Sequence, residues 1–356
     1  MEMNLDFIFT IIDNVLPFLV ILTILVFVHE LGHYSIARYN KVKVEVFSIG
    51  FGKEIFGYTD KDGTRWKFSL IPLGGYVKMH GDQDEASSKA KDETKINKEI
   101  SFHHKTIGQR SAILFAGPAA NYIFSLLLLI FINCFYGAPS IKPIISELVE
   151  NSSAEVAGLK KDDIILDIDG NSIQKFSDIK FHLNNRDSDS VFLTISRDNK
   201  ILNFEVIVQN GILGIKGEQQ ELIPISFFES VFFSSKQIAD FTTSTLKGIY
   251  EIFSGTRGTE DLGGPIRIAE LSADFWEKGI QSTLWFMVLI SLNLGLINLF
   301  PIPLLDGGHL LLNFVELIKG KPINQKSLEV IHTVGFFLLI SLMIFATFND
   351  VSRFLK

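Results

Sequence analysis

One cysteine, Cys134, occurs in 356 residues, so an intramolecular disulfide and any multi-cysteine metal site are excluded. Positive charge is in deficit: 33 Lys and Arg stand against 40 Asp and Glu, a formal net charge of −7 that speaks against a nucleic-acid partner. No Lys or Arg precedes Arg38, whereas Glu2, Asp6 and Asp13 do, so the first apolar run lacks the basic n-region of a cleaved signal peptide. Charged residues are also sparse, at 21% of the chain against 47% apolar.

What is present is apolar residues in long runs, with 32 phenylalanines beside 3 tryptophans and a mean hydropathy of +0.28. Four runs, about residues 15–39, 111–135, 284–300 and 330–348, approach the ~20 residues a helix needs to cross ~30 Å of hydrocarbon. Residues 38–110 carry fourteen Lys/Arg against ten Asp/Glu, while residues 137–281 carry fourteen against twenty-two. The excess of positive charge marks the cytoplasmic side. It places both termini and the long middle loop outside and the first loop inside.

The expected fold is therefore a polytopic α-helical membrane protein with about four transmembrane helices and a folded polar portion. A first transmembrane helix spans 1–38, a cytoplasmic loop 39–110 and a second helix 111–136. An outer domain covers 140–210 and an amphipathic segment 211–282. The third helix and a ligand-bearing segment occupy 283–310, a cytoplasmic connection 311–327 and the fourth helix 328–350. In the first loop, alternation over 41–48 and 64–71 around the Asp62-Gly63 turn reads as a β-hairpin. The charged stretch 81–100 reads as mobile. In the outer loop, strands are expected at 144–148, 164–168, 191–197 and 202–208, with a helix over 176–183. Residues 223–253 turn helical and amphipathic, too polar to span and suited to a membrane surface. Asn151-Ser152-Ser153 matches a glycosylation sequon, a pattern common by chance.

The chemistry lies in the first run, where His29-Glu30-Leu31-Gly32-His33 forms HExxH. On a helix the two imidazoles share a face and can reach one cation, and Glu30 sits beside them, able to hold a water. The motif follows an apolar stretch, at a depth where ionisable groups are costly and face a bundle interior or a cavity. No Lys or Arg of that helix can compensate, so a divalent cation is the natural counter-charge. Catalytic zinc takes three protein ligands and an open position. Asp306 is the preferred third ligand, because Pro301 and Pro303 break the helix ahead of it at membrane depth. His309 is its competitor, and Asp306 could also cap the helix that follows.

These residues resemble a known family. HELGH, Gly117-Pro118-Ala119-Ala120-Asn121 and the Asn298-to-Gly307 stretch around Pro301, Pro303 and Asp306 resemble the site-2 proteases, which are intramembrane zinc metalloproteases. The similarity is closest to the Gram-negative regulator-of-sigma-E branch. Residues 71–78, the Leu262-Gly-Gly-Pro-Ile266 stretch and Phe348-Asn-Asp350 add to it. Residues 152–159 and 163–170 resemble a PDZ domain, with Ser153 and Asp162 departing from the usual Pro and Gly. Room exists for one such domain, where the best-known relatives have two.

The resemblance implies Zn2+ held by His29, His33 and Asp306, Glu30 as general base, and Asn293 and Asn298 holding a substrate strand. From the residues alone, those two asparagines could equally be interhelical packing groups. It further implies a membrane-associated hairpin at 41–71, a periplasmic PDZ-like domain and a place in the bacterial inner membrane with the active site toward the cytoplasm. The implied substrates are single-pass membrane proteins, an anti-sigma factor and remnant signal peptides, shortened beforehand by a periplasmic protease. A metal transporter and an inactive PDZ scaffold are the alternatives. The first would want polar residues along several helices, and the second has no use for Glu30.

Overall fold

The computed structural model describes residues 5–82, 97–139, 143–150, 152–173, 176–184, 190–208, 213–217, 222–256, 258 and 263–354. Residues 83–96 of the charged stretch, Asn151 of the sequon and Leu262 lie outside the described residues.

In chain order the elements begin with α1 (Leu5–Tyr39), β1 (Val44–Thr59), β2 (Arg65–Met79) and α2 (Ile107–Phe135). Short β3 (Ala138–Pro139) and β4 (Ile145–Leu148) lead to α3 (Ser153–Val156), β5 (Ile164–Ile168), β6 (Asn171–Ser172) and α4 (Phe176–Asn184). Then come β7 (Ser190–Arg197), β8 (Lys200–Ile207), β9 (Ile215–Gly217) and β10 (Leu222–Ile223). Five helices close the chain: α5 (Phe227–Phe253), α6 (Pro265–Glu277), α7 (Ile280–Asn298), α8 (Asp306–Lys319) and α9 (Gln325–Phe354). Two compact units result, Met1–Ile132 with Phe228–Lys356, and Asn133–Phe227.

In the first unit, four described helices are long and apolar enough to cross a bilayer: Val15–Tyr39, Ile107–Phe135, Ile280–Asn298 and Lys326–Arg353. Large apolar side chains stay exposed along them, among them Leu127 on α2 and Val334 and Phe337 on α9. Water would penalise such surfaces and lipid would not. Two buried clusters bracket the middle of α1. On one side Ile21 and Leu25 pack with Phe286 and Met287 of α7. On the other, Ala37 packs with Phe47, Val77, Phe102 and Ile113. The HELGH turn is held between them.

The hairpin is longer than the alternation pattern suggests. β1 and β2 pair antiparallel from Val44↔Met79 to Thr59↔Arg65, with repeated register shifts. Gly50 and Gly52 stand at φ +87° and +84°, backbone only glycine takes readily, so the ladder bulges where it was expected to stop. β2 continues through Pro72 because a two-stranded sheet has only edge strands, which tolerate a missing N–H. At the turn, Asp60 accepts hydrogen bonds from the Asp62 and Thr64 amides and from the Trp66 indole. Desolvation, the largest single influence, opposes them, but these bonds together with nearby Arg38 outweigh it and hold the Asp60 carboxyl below its ordinary pKa.

Helix α6 has no counterpart in the expected boundaries. Gly264 and Pro265 look like loop punctuation, yet Gly264 is the N-cap and Pro265 starts the helix. Gly264 has no side chain to cap with. The Asp350 carboxylate of α9 substitutes, accepting from the Gly264, Ile266 and Arg267 amides at 2.8, 3.1 and 3.2 Å. Asp350→Ala is expected to cost about 1.5–3 kcal/mol. The check is thermal unfolding in detergent, with faster amide exchange confined to residues 264–268.

The second unit carries a four-stranded antiparallel sheet in the order β6-β5-β7-β8 and a separate β4–β9 pair. Its core joins Ile145, Ile165, Ile168, Leu193, Ile195 and Val206 to Ile179 of α4. Asp169-Gly170 and Asp198-Asn199 turn the chain at positive φ, as their residue types predict. Asp162 likewise takes a left-handed φ of 69°. Fully buried Asp163 accepts from Arg197 Nε and Nη2 at 2.6 and 2.7 Å and from the Lys160 amide at 2.7 Å. These bonds hold the Arg197 guanidinium above its ordinary pKa.

Candidate metal centre

Helix α1 projects His29 and His33 from one face, one turn apart, as the i, i+4 spacing requires. Both are buried, and so is Glu30 at 9% exposure. The third donor arrives from the break between α7 and α8. That break is non-helical over 299–305, and Leu304 within it stands at φ 77°, an uncommon conformation for a bulky residue. Asp306 is the first residue of α8. Gly307 and Gly308 let this segment close upon itself: a Cβ at Gly307 would stand 2.2 Å from the Leu299 carbonyl oxygen, and one at Gly308 2.3 Å from that of Ile302.

The three side chains converge. His29 Nε2 lies 3.2 Å from His33 Nε2 and 3.2 Å from Asp306 Oδ2, and His33 Nε2 lies 3.4 Å from Asp306 Oδ1. A tetrahedral zinc with bonds of about 2.0–2.1 Å demands donors about 3.3 Å apart. The spacing and the donor types both fit zinc. Among the described residues this is the one His/Cys/Asp/Glu trio with converging donors, and it takes Asp306 and not His309.

The trio opens into a cavity of about 1090 Å³, lined also by Glu30, Gly74, Gly75, Tyr76, Asn298 and His309. Asn298 therefore faces the same space as the trio. Asn293, half-buried on α7, is not among its lining residues. β2 approaches α1 closely here. A Cβ at Gly75 would stand 3.0 Å from Glu30 Cγ and 2.8 Å from Val26 Cγ1, so only glycine lets the strand pass the carboxylate. Among the other lining residues, Arg110 donates to Glu316 at 2.8 Å and Asn313 donates to Ser111 at 3.1 Å, tying the start of α2 to α8. Neither link carries a sequence signal, since the partners lie some 200 residues apart.

Two histidines and a carboxylate around one point, with a buried glutamate beside them, define a metallopeptidase of the HExxH class. Comparison with known proteins narrows the class. Residues 17–342 match the model of Peptidase family M50, and the chain belongs to that family. It is 35% identical to a protein of Agrobacterium fabrum over 95% of each chain. It is 36% identical to one of Rickettsia conorii, covering 96% of this chain and 99% of that one. A Campylobacter jejuni relative is 37% identical, over 94% of this chain and 92% of its own. All three bear the name "Putative zinc metalloprotease". The protein is a zinc metalloprotease of the site-2 type, a polytopic membrane protein with a β-rich portion.

Proposed function

We propose that this protease cleaves single-pass membrane proteins within their spanning segments, using zinc held by His29, His33 and Asp306 and Glu30 as general base. The single observation that carries the reading is the convergence of those three donors, one pair of them inside the apolar span Val15–Tyr39. Bound there, zinc supplies a Lewis acid that polarises a peptide carbonyl and acidifies water. The Glu30 carboxylate takes the proton of the attacking water and returns it to the leaving nitrogen. The two buried clusters on α1 keep the imidazoles and Glu30 in register while that proton moves.

A substrate helix satisfies its own amides and must unwind before attack. β2, an edge strand beside Glu30, offers backbone partners that lipid cannot supply. Asn298 in the cavity suits a role in holding the unwound strand. Asn293, away from the cavity, suits that role only by shaping α7 near it. Exposed Phe51, Ile55, Phe56, Leu70 and Leu73 favour a hairpin that touches the membrane. The exposed apolar side chains of α5, including Phe228, Phe232 and Phe253, favour a membrane-surface position for 223–253.

We place the hairpin loop in the cytoplasm, both termini and residues 140–210 in the periplasm, and the whole in a bacterial inner membrane. The positive charge of 38–110 supports that orientation. The α+β make-up of 140–210, with buried Ala154 and Leu159 and the turn at Asp162, supports a single PDZ-like domain that filters or docks substrates. Substrates are an anti-sigma factor after a first periplasmic cut and remnant signal peptides, with a periplasmic protease acting upstream.

The test uses purified full-length protein in detergent with a tagged single-pass substrate trimmed on its outer side. Chelation is expected to stop cleavage and added zinc to restore it, and Asp306→Asn to lose both zinc and cleavage. Cleavage that persists after complete zinc removal, or only outside the spanning segment, would overturn the reading.

A further inference from the structure

We infer that Asn121 on α2 is the positioning residue that fixes His29 in its metal-binding tautomer, and that Gly117 one turn earlier is the recess in which both imidazoles sit. The inference rests on zinc being held by His29, His33 and Asp306. It adds what holds two of those ligands.

The two histidines present Nε2 to the convergence point, so each must carry its proton on Nδ1. For His33 the partner is evident: Nδ1 lies 2.8 Å from the Ile113 carbonyl oxygen, which can only accept. For His29 it is the Asn121 side chain, whose Nδ2 lies 3.2 Å from Nδ1. In that orientation of the amide two N–H groups would face each other. Asn121 is fully buried, and its Oδ1 has no hydrogen-bond partner among the described residues. The amide O and N are distinguished only by the network around them. Turned over, Asn121 places Oδ1 on the His29 Nδ1–H, and one rotation satisfies the buried oxygen and selects the tautomer that leaves Nε2 free. Metal-bound histidines are usually oriented in this way.

The backbone of Asn121 is itself held. Its carbonyl accepts from Ser125 Oγ at 2.8 Å and from Ser291 Oγ of α7 at 3.0 Å, so α7 fixes the residue that orients the α1 histidine. Ile113, Gly117 and Asn121 recur every four residues and form one stripe of α2 facing the HELGH turn. At its centre a Cβ on Gly117 would stand 2.3 Å from His33 Nε2 and 2.8 Å from His29 Cε1. Helix α2 thus holds both ligands from behind, with an acceptor at each end and a missing side chain between them.

The test is zinc affinity of the purified full-length protein, by competition with a chromophoric chelator, for wild type and three variants. Asn121→Leu keeps the branched shape and removes the acceptor, and its affinity is expected to fall about 10–100-fold. Asn121→Asp keeps an acceptor at the same place and is expected to stay within about threefold of wild type. A merely structural role predicts the reverse order, since it tolerates an apolar isostere better than a buried carboxylate. Equal affinity of Asn121→Leu and wild type, or a loss in Asn121→Asp as large as in Asn121→Leu, overturns the inference. His29→Ala separates the two levels. If it abolishes zinc binding while Asn121→Leu binds zinc as tightly as wild type, the orienting role alone fails; if it leaves zinc in place, the ligand assignment fails and this inference with it.

Discussion

Glu30→Gln is expected to abolish measurable cleavage while the purified protein keeps its zinc. Gln preserves the shape of the side chain but cannot take a proton, and loss of general base catalysis costs about 10²–10⁴-fold. The proposed zinc donors are His29, His33 and Asp306, none of which the substitution touches. Stability should not fall either, because the change removes a charge from a site only 9% exposed. Cleavage rate and metal content measured on one preparation provide the check. Residual activity within tenfold of wild type would remove Glu30 from the reaction, and loss of zinc would make it a ligand instead.

Gly117→Ala is the second large effect, and the change involved is one methyl group. Real Cβ atoms essentially never approach a neighbour within 3.0 Å, and this one would stand 2.3 Å from His33 Nε2 and 2.6 Å from its Cε1. The rings are confined by the clusters on either side of the HELGH turn, so the clash falls on the donor atoms. A displacement near 1 Å costs about 10²-fold in rate, and the spacing that suits zinc is lost as well. The helix itself gains, since Ala is favoured over Gly in a helix by about 1 kcal/mol. The expected result is a folded protein with depleted zinc and little cleavage. Gly108→Ala on the same helix is the control, because nothing lies within 4 Å of its added methyl. Full zinc occupancy in Gly117→Ala would show that the rings can retreat, and the recess would then be unimportant.

Legibility from sequence differed by element for physical reasons. HELGH announced itself because helical spacing alone brings His29 and His33 together. Asp306 could be picked over His309 because two prolines mark where the backbone must leave the helix, and the structure puts its carboxylate at the trio. The spanning helices follow from length and apolarity. The alternation pattern makes the hairpin too short, since bulges at Gly50 and Gly52 break the alternation without ending the ladder. Helix α6 escaped notice because its cap comes from Asp350, over eighty residues away. Gly117 and Asn121 stood in a stretch that served only for resemblance: an absent side chain and a buried amide have no local signature, and their role appears only when α2 lies against α1. Of the asparagine pair, spacing on α7 could not tell that Asn298 alone lines the cavity.

The division of the metal trio between α1 and the start of α8 also orders the protein's birth. About 270 residues separate His33 from Asp306. At ~5–20 residues per second, a ribosome needs roughly 15–50 s to cover that distance. Through that interval the nascent chain carries two imidazoles in the bilayer and no third donor. The half-made site is a weak one, and the maturing enzyme stays inert beside the neighbouring chains being inserted with it. With this ligand set, activity begins only when Asp306 has been made and has reached the two imidazoles, so the order of synthesis is its own safety catch.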